Sequence, residues 1–199
     1  TSGAYIFGAQ LEQGNLSSYI PTNGSSVQRA VETCNESGNS EVFNDSEGVL
    51  FADISALAND GTNRVLTLSN GGYSNSIRIQ YYNVSNQLEF RVVSSGSAVV
   101  LQRVTISDTT LFNKILVKYK LNDFALWVNG FEILTDINGA TPIGLNEIRF
   151  DDGDGNVPLY GKTKEIAYYD EILTDEELEY LTSYRSLNEM VTELNLNAL

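Results

Sequence analysis

The chain has 199 residues, 42% of them hydrophobic, with 26 acidic against 12 basic side chains, a formal charge of −14 and no histidine. That length and apolar content suit one packed core with a small appendage and exclude global disorder. A surface this acidic repels phosphate backbones and anionic headgroups, and no apolar run approaches the roughly 18 residues that a spanning helix needs, so neither nucleic-acid binding nor membrane insertion is expected.

The opening reads as the end of something. Tyr5 to Leu11 alternates like a closing strand, Gly14-Asn15 turns, Tyr19-Ile20-Pro21 is extended, and Asn23-Gly24-Ser25-Ser26 is loop chemistry. Residues 31–47, VETCNESGNSEVFNDSE, are acidic and poor in large apolar groups, the composition of a linker or a long irregular loop, and a boundary is expected near Asn44. Cys34 is the single cysteine, so no internal disulfide is available and a spectator thiol is expected.

From Gly48 the pattern becomes short apolar strands with turn residues between them. They run Val49–Leu57, Arg64–Ser69, Ser76–Asn83, Gln87–Ser94 and Ala98–Ser107, then Lys114–Lys120, Phe124–Asn129, Glu132–Thr135, Asn146–Phe150 and Lys164–Tyr169. Spacing of this kind predicts an all-β antiparallel sandwich rather than βαβ units. After Tyr169 the period changes. Thr174 caps a helix opened by Asp175, Glu176 and Glu177, with Leu178, Leu181 and Tyr184 at helical spacing, and a second short helix begins near Ser186 with Glu189 as its capping-box partner. The apolar stripe of this tail has two possible partners: its own sheet, or a neighbouring copy in a homo-oligomer such as a trimer.

Two stretches carry a resemblance. Phe112, the Ile115/Val117/Tyr119 alternation, Leu126-Trp127-Val128-Asn129-Gly130, Gly161, Ile166 to Tyr168 and the Leu173-to-Glu177 helix opening resemble the second half of a laminin-G-like, concanavalin A-like lectin/glucanase domain. The resemblance implies a jelly-roll sandwich over residues 45–184, preceded by an exit strand and linker (1–44) and followed by a helical tail (185–199). The opening GAQLEQG…SYIPTNGSSVQR is similar to a segment that closes a sandwich module in large bacterial surface proteins and phage tail or fibre proteins. This second likeness implies a longer polypeptide, an extracellular or virion-surface setting, and virion proteins or cell-surface glycan as partners. The fold itself hosts lectins, hydrolases, lyases and adhesion modules, so the site must decide.

Catalysis is not expected. Jelly-roll glycosidases need facing carboxylates at Glu-x-Asp-x-Glu spacing; the nearest pair, Glu147 and Asp151, is four apart with Arg149 between. Without a histidine, the Gln-Ile-His strand of jelly-roll lyases is also missing.

Binding is better supported. In FALWVNGF, alternation sets Phe124, Leu126 and Val128 on one face and Trp127 on the other, away from the core. There the indole is either an open sugar-stacking platform or packed under another element. Tyr73, Tyr81 and Tyr82 are further ligand-binding candidates, although Tyr81 and Tyr82 must point to opposite faces. In DDGDGN, Asp152, Asp154 and Asn156 repeat the one-three-five spacing of calcium loops, while Thr163 and Val157 stand where an EF-hand needs glutamate and glycine. The expected function is therefore a non-catalytic glycan-binding or adhesion module with calcium as a candidate ion. A structural oligomerisation module, and less favourably a polysaccharide-active enzyme, are the alternatives.

Overall fold

The computed structural model describes residues 37–184 without a break, together with Pro21, Asn23–Ser25, Cys34, Ser186 and Glu189–Val191. The chain divides into two compact units, Thr1–Glu32 and Thr33–Leu199. In the first, Asn23–Ser25 form a bend with Gly24 at φ 85°, while the expected Tyr5–Leu11 strand lies outside the described residues.

The second unit carries the sandwich. Its elements are β1 (Glu47–Ala56), β2 (Arg64–Ser69), β3 (Ser76–Tyr81), β4 (Gln87–Ser94), β5 (Ser97–Thr105), β6 (Asn113–Lys120), β7 (Asp123–Val128), β8 (Phe131–Asp136), β9 (Glu147–Arg149), β10 (Gly161–Tyr169) and α1 (Asp175–Thr182). A front sheet has the order β5-β4-β3-β2-β9 and a back sheet the order β10-β1-β6-β7-β8, every pairing antiparallel. The Asn129-Gly130 pair, at φ 51° and 86°, supplies the left-handed turn that the β7–β8 hairpin requires.

Period-two alternation decides what each sheet buries. Leu50, Ala52 and Ile54 on β1, Ile115, Val117 and Tyr119 on β6, and Phe124, Leu126 and Val128 on β7 form the inner face of the back sheet. They pack in one core with Leu66 and Leu68, Ile77, Ile79 and Tyr81, and Leu88, Phe90 and Val92 from the front sheet.

Residues read from composition as linker begin this unit instead. Phe43 is buried in the core with its ring edge-on to Tyr168, centroids 4.9 Å apart. The Asn44 amide donates to Tyr168 Oη at 2.8 Å, Tyr119 Oη donates to the Asn44 carbonyl at 2.6 Å, and the two hydroxyls lie 2.8 Å apart. Burial raises the pKa of both phenols, so both stay neutral. Gly48 makes the cluster possible, since a Cβ there would come within 2.7 Å of Tyr168 Oη. One large anchor in a polar stretch is invisible to a composition average.

Helix α1 starts as expected. Thr174 Oγ1 accepts from the Glu177 amide at 3.4 Å and Glu177 Oε2 accepts from the Thr174 amide at 2.8 Å, a full capping box. The following turn has one half of the device, the Glu189 amide donating to Ser186 Oγ at 3.0 Å, while the Glu189 carboxylate accepts from Lys114 Nζ at 2.7 Å.

Two outcomes test this arrangement. Phe43→Ala should lower unfolding free energy by about 3–5 kcal/mol in a denaturant titration; a surface-like change of a few tenths would place residues 37–46 outside the cooperative unit. The second concerns pH. Bonds from the Thr174 amide and then its hydroxyl hold the Glu177 carboxyl below its ordinary value of 4.5. A depressed folded pKa gives stability that is present above 4.5 and lost as pH falls through the folded value. The melting-temperature advantage of the parent over Glu177→Gln should therefore shrink below pH 4.5 and be constant above it.

Candidate functional site

The outer face of the front sheet is a grid written by alternation. On β3 and the residue after it, Arg78, Gln80 and Tyr82 point outward. Across the ladder Arg91 lies opposite Arg78 and Glu89 opposite Gln80, and on β5 Leu101 lies opposite Arg91 and Arg103 opposite Glu89. Four of the chain's seven arginines, 78, 91, 103 and 149, stand on this one face.

Glu89 is the hub. It is 1% exposed, yet its carboxylate accepts from Arg91 Nη2 at 2.9 Å and from Arg103 Nε at 2.7 Å. Both guanidiniums are fixed a second time. Arg91 Nη1 donates to Tyr73 Oη at 2.7 Å, and the Arg103 guanidinium lies 4.0 Å above the Tyr82 ring. Arg78 lies 4.2 Å above the Tyr73 ring and donates to the Asp152 carbonyl. Burial lowers the Arg78 pKa, opposed by the Asp152 carboxylate; burial pulls Arg91 the same way, but the Tyr73 hydrogen bond and Glu89 outweigh it and its pKa is raised.

The DDGDGN loop forms one side of this face. Thr67 Oγ1 on β2 donates to the Asp151 carbonyl at 2.6 Å and is fully buried. A Cβ on Gly153 would come within 3.2 Å of the Gly72 carbonyl, so the loop presses directly on the β2–β3 turn. The half of the face over β2 is thus covered, together with Ser76 and Arg78 of β3, which are 0% and 6% exposed, and the face opens from Gln80 toward β5, where Leu101 is 49% exposed and the Arg103 side chain 40%.

The sequence-expected ligand residues divide between the two sheets. Tyr73 and Tyr82 stand on the outer front face, among the arginines. Tyr81 does not: it is a core residue whose hydroxyl donates to the Ile54 carbonyl at 2.7 Å, on the opposite face from Tyr82 as alternation required. The open-platform reading of Trp127 is corrected. Its ring does point away from the sandwich core, but with Val49, Phe51, Leu116 and Ala125 it forms a second cluster closed by Leu178 of α1, and it is 6% exposed. A lone amphipathic helix covers its own sheet, and the indole is what it covers.

In the expected metal loop, Asp152 Oδ1 accepts from the amides of Asp154 at 3.1 Å and Asn156 at 3.0 Å, so it caps its own turn. Among the described residues no group of three acidic or sulfur side chains converges as a metal site would require. Glu147 and Asp151 are both engaged by Arg149, at 3.5 and 3.3 Å. A cleft of about 420 Å³ near residues 40–46 is crossed by Asp45, whose two oxygens accept from the amides of Gly144 at 2.6 Å and Leu145 at 2.9 Å. That carboxylate is a clamp between loops.

The residues of this face that the sequence reading did not single out are Arg78, Arg91, Arg103 and Glu89. Their signal was present: Ile77-Arg78-Ile79 and Phe90-Arg91-Val92 each place a cation between apolar neighbours, which in a strand means an outward charge.

No family model and no curated protein matches the chain. Solved structures do. The carbohydrate-binding module CBM40 of the Ruminococcus gnavus IT-sialidase, bound to α2,3-sialyllactose, superposes with a TM-score of 0.58 at 15% identity, over 70% of this chain and 84% of that one. A leech intramolecular trans-sialidase matches with a TM-score of 0.56 at 16% identity, and the binding domain of botulinum neurotoxin serotype D/C with 0.52 at 13%. The chain spans 23% of the trans-sialidase and 36% of the toxin domain, so it corresponds to one part of each. The class defined is an all-β, jelly-roll-like sandwich. What the chain shares with these proteins at such identities is the fold; the laminin-G-like resemblance rests on sequence motifs alone.

Trp127, the single tryptophan, reports on the covered face directly. Leu178→Ala should destabilise the fold by about 2–5 kcal/mol and shift tryptophan emission to the red. An unchanged emission spectrum would mean that α1 does not seal the ring.

Proposed function

We propose that the sandwich is a non-catalytic carbohydrate-binding module that holds a glycan on the open outer face of its front sheet. The observation that carries this is the pre-ordered surface around Glu89, where guanidinium groups are fixed by a buried carboxylate and by the aromatic rings of Tyr73 and Tyr82. A sugar needs this combination: rigid planar donors for its hydroxyls and flat surfaces for its C–H face. Fixing the donors beforehand removes most of the side-chain ordering cost of binding. The structural neighbours add support, since the CBM40 module of the Ruminococcus gnavus IT-sialidase, which shares this fold, is bound to α2,3- and to α2,6-sialyllactose in two of the matching structures. The occupied carboxylates of Glu147 and Asp151 argue against a hydrolase, because each already has a cation as partner.

The setting follows from the sequence resemblance: a surface-exposed module of a phage tail or fibre protein, or of a bacterial surface protein, engaging cell-surface glycan. A glycan array on the full chain tests the reading, run with calcium and with chelator so that the cation expected at Asp152, Asp154 and Asn156 is tested as well. Specific glycan signals should appear, fall about ten-fold or more in Tyr82→Ala, and persist in Trp127→Phe. No signal under any condition, with sedimentation showing assembly through residues 185–199, would favour the structural oligomerisation module instead.

A further inference from the structure

We infer that the open half of the front face reads the end of a glycan chain that terminates in a carboxylate-bearing sugar, with Arg103 as the residue that recognises the carboxylate. The inference rests on the glycan-binding reading and names the ligand class.

Arg103 is the cation here with capacity to spare. Its Nε is committed to Glu89 and its plane is stacked on Tyr82, while neither terminal nitrogen has a partner among the described residues and the side chain is 40% exposed. A guanidinium held on one edge and one face presents its remaining edge as a rigid fork, which matches a carboxylate in a bidentate pair. Arg91, Arg78 and Arg149 differ: Arg91 spends its terminal nitrogens on Glu89 and Tyr73, Arg78 one of its own on the Asp152 carbonyl, and Arg149 is divided between Glu147, Asp151 and the Gly153 carbonyl. Leu101 lies one ladder position from Arg103 on the same face and offers the apolar contact that a sugar's C–H surface or an acyl methyl needs.

The limits of the strip select a chain end. The loop at 151–156 stands on the β2 side, pinned by Thr67 and Arg78. Tyr73, tied to Arg91 and stacked by Arg78, stands at one end. Between that wall and the free edge at β5 lie β3 and β4, so the strip is about two strand spacings wide, roughly 10 Å. A polymer crossing the sheet would collide with the loop; a terminal residue entering over β5 would not.

Charge favours a single acidic sugar over a polyanion. With 26 acids to 12 bases the chain repels extended anions, whereas one carboxylate needs only one local cation within a screening length of about 8 Å.

The test is calorimetric titration of the full chain with α2,3-sialyllactose and a glucuronate-terminated disaccharide. Controls are the carboxyl-reduced form of each, lactose, and a polyuronate with capped ends. The acid-terminated sugars should bind, and carboxyl reduction should weaken them about ten-fold or more. Arg103→Gln leaves Glu89 one partner short and should melt lower, so it is titrated well below its transition, where it should match that loss; Arg103→Lys should recover part of it, and the capped polyuronate should not compete. If lactose or the reduced sugars bind as well as the acids, the carboxylate assignment is overturned while the glycan-binding reading stands. Tighter binding of the capped polyuronate would overturn the chain-end assignment, and no binding by any sugar here or on an array would overturn both.

Discussion

The buried carboxylate of Glu89 is the interaction on which the open face depends. Near the start of β4, 1% exposed, it draws in two arginines that would otherwise move freely in solvent. Taking such a charge out of water costs several kcal/mol, and two short charge-assisted contacts are what makes it tolerable. Removing one partner of a buried pair typically costs about 3–5 kcal/mol, so sequence change here is penalised from both sides. The pair contributes little net stability for its expense. What it provides is a surface whose donors are already in position.

The two outer faces of the sandwich have opposite fates, and the cause is local. On the back sheet, charged outward positions surround an apolar centre: Val49, Phe51, Leu116, Ala125 and Trp127 form a patch that water disfavours, and the capping box at Thr174 starts a helix whose Leu178 seals it. On the front sheet, outward positions are mostly polar or charged, with Leu101 and Val65 as separate exceptions, so no continuous apolar patch draws the tail across it. The covering there is a short loop joined through backbone carbonyls to Thr67 and Arg78. It occupies the β2 side, reaches Arg78 on β3, and leaves the strip from Gln80 to β5 free.

The fold was largely legible in the sequence because its information is local. Strand positions followed from alternation and turn residues, the Asn129-Gly130 hairpin from its dipeptide, and the helix start from Thr174. Alternation also separated Tyr81 from Tyr82 correctly and turned Trp127 away from the core. It left open whether Trp127 is exposed, since Leu178 covers the ring from 51 positions further along the chain and no periodicity reports that contact. It failed on Phe43 for the converse reason, a single anchor averaged away by polar neighbours. The arginine cluster was readable strand by strand, but its assembly around Glu89 depends on ladder register between β3, β4 and β5. Register is a long-range property that a single sequence leaves open.

A jelly-roll sandwich alone does not define an activity. The functional argument rests on which face is open and what stands on it. The measurement that tests this most directly is a chemical-shift map of the full chain, backbone amides and arginine Nε groups together, during titration with α2,3-sialyllactose. The account predicts shifts concentrated at Gln80, Tyr82, Glu89, Arg91, Leu101 and Arg103, with Trp127 and helix α1 unmoved. Shifts centred on Trp127, Leu178 and the outer back sheet would contradict it.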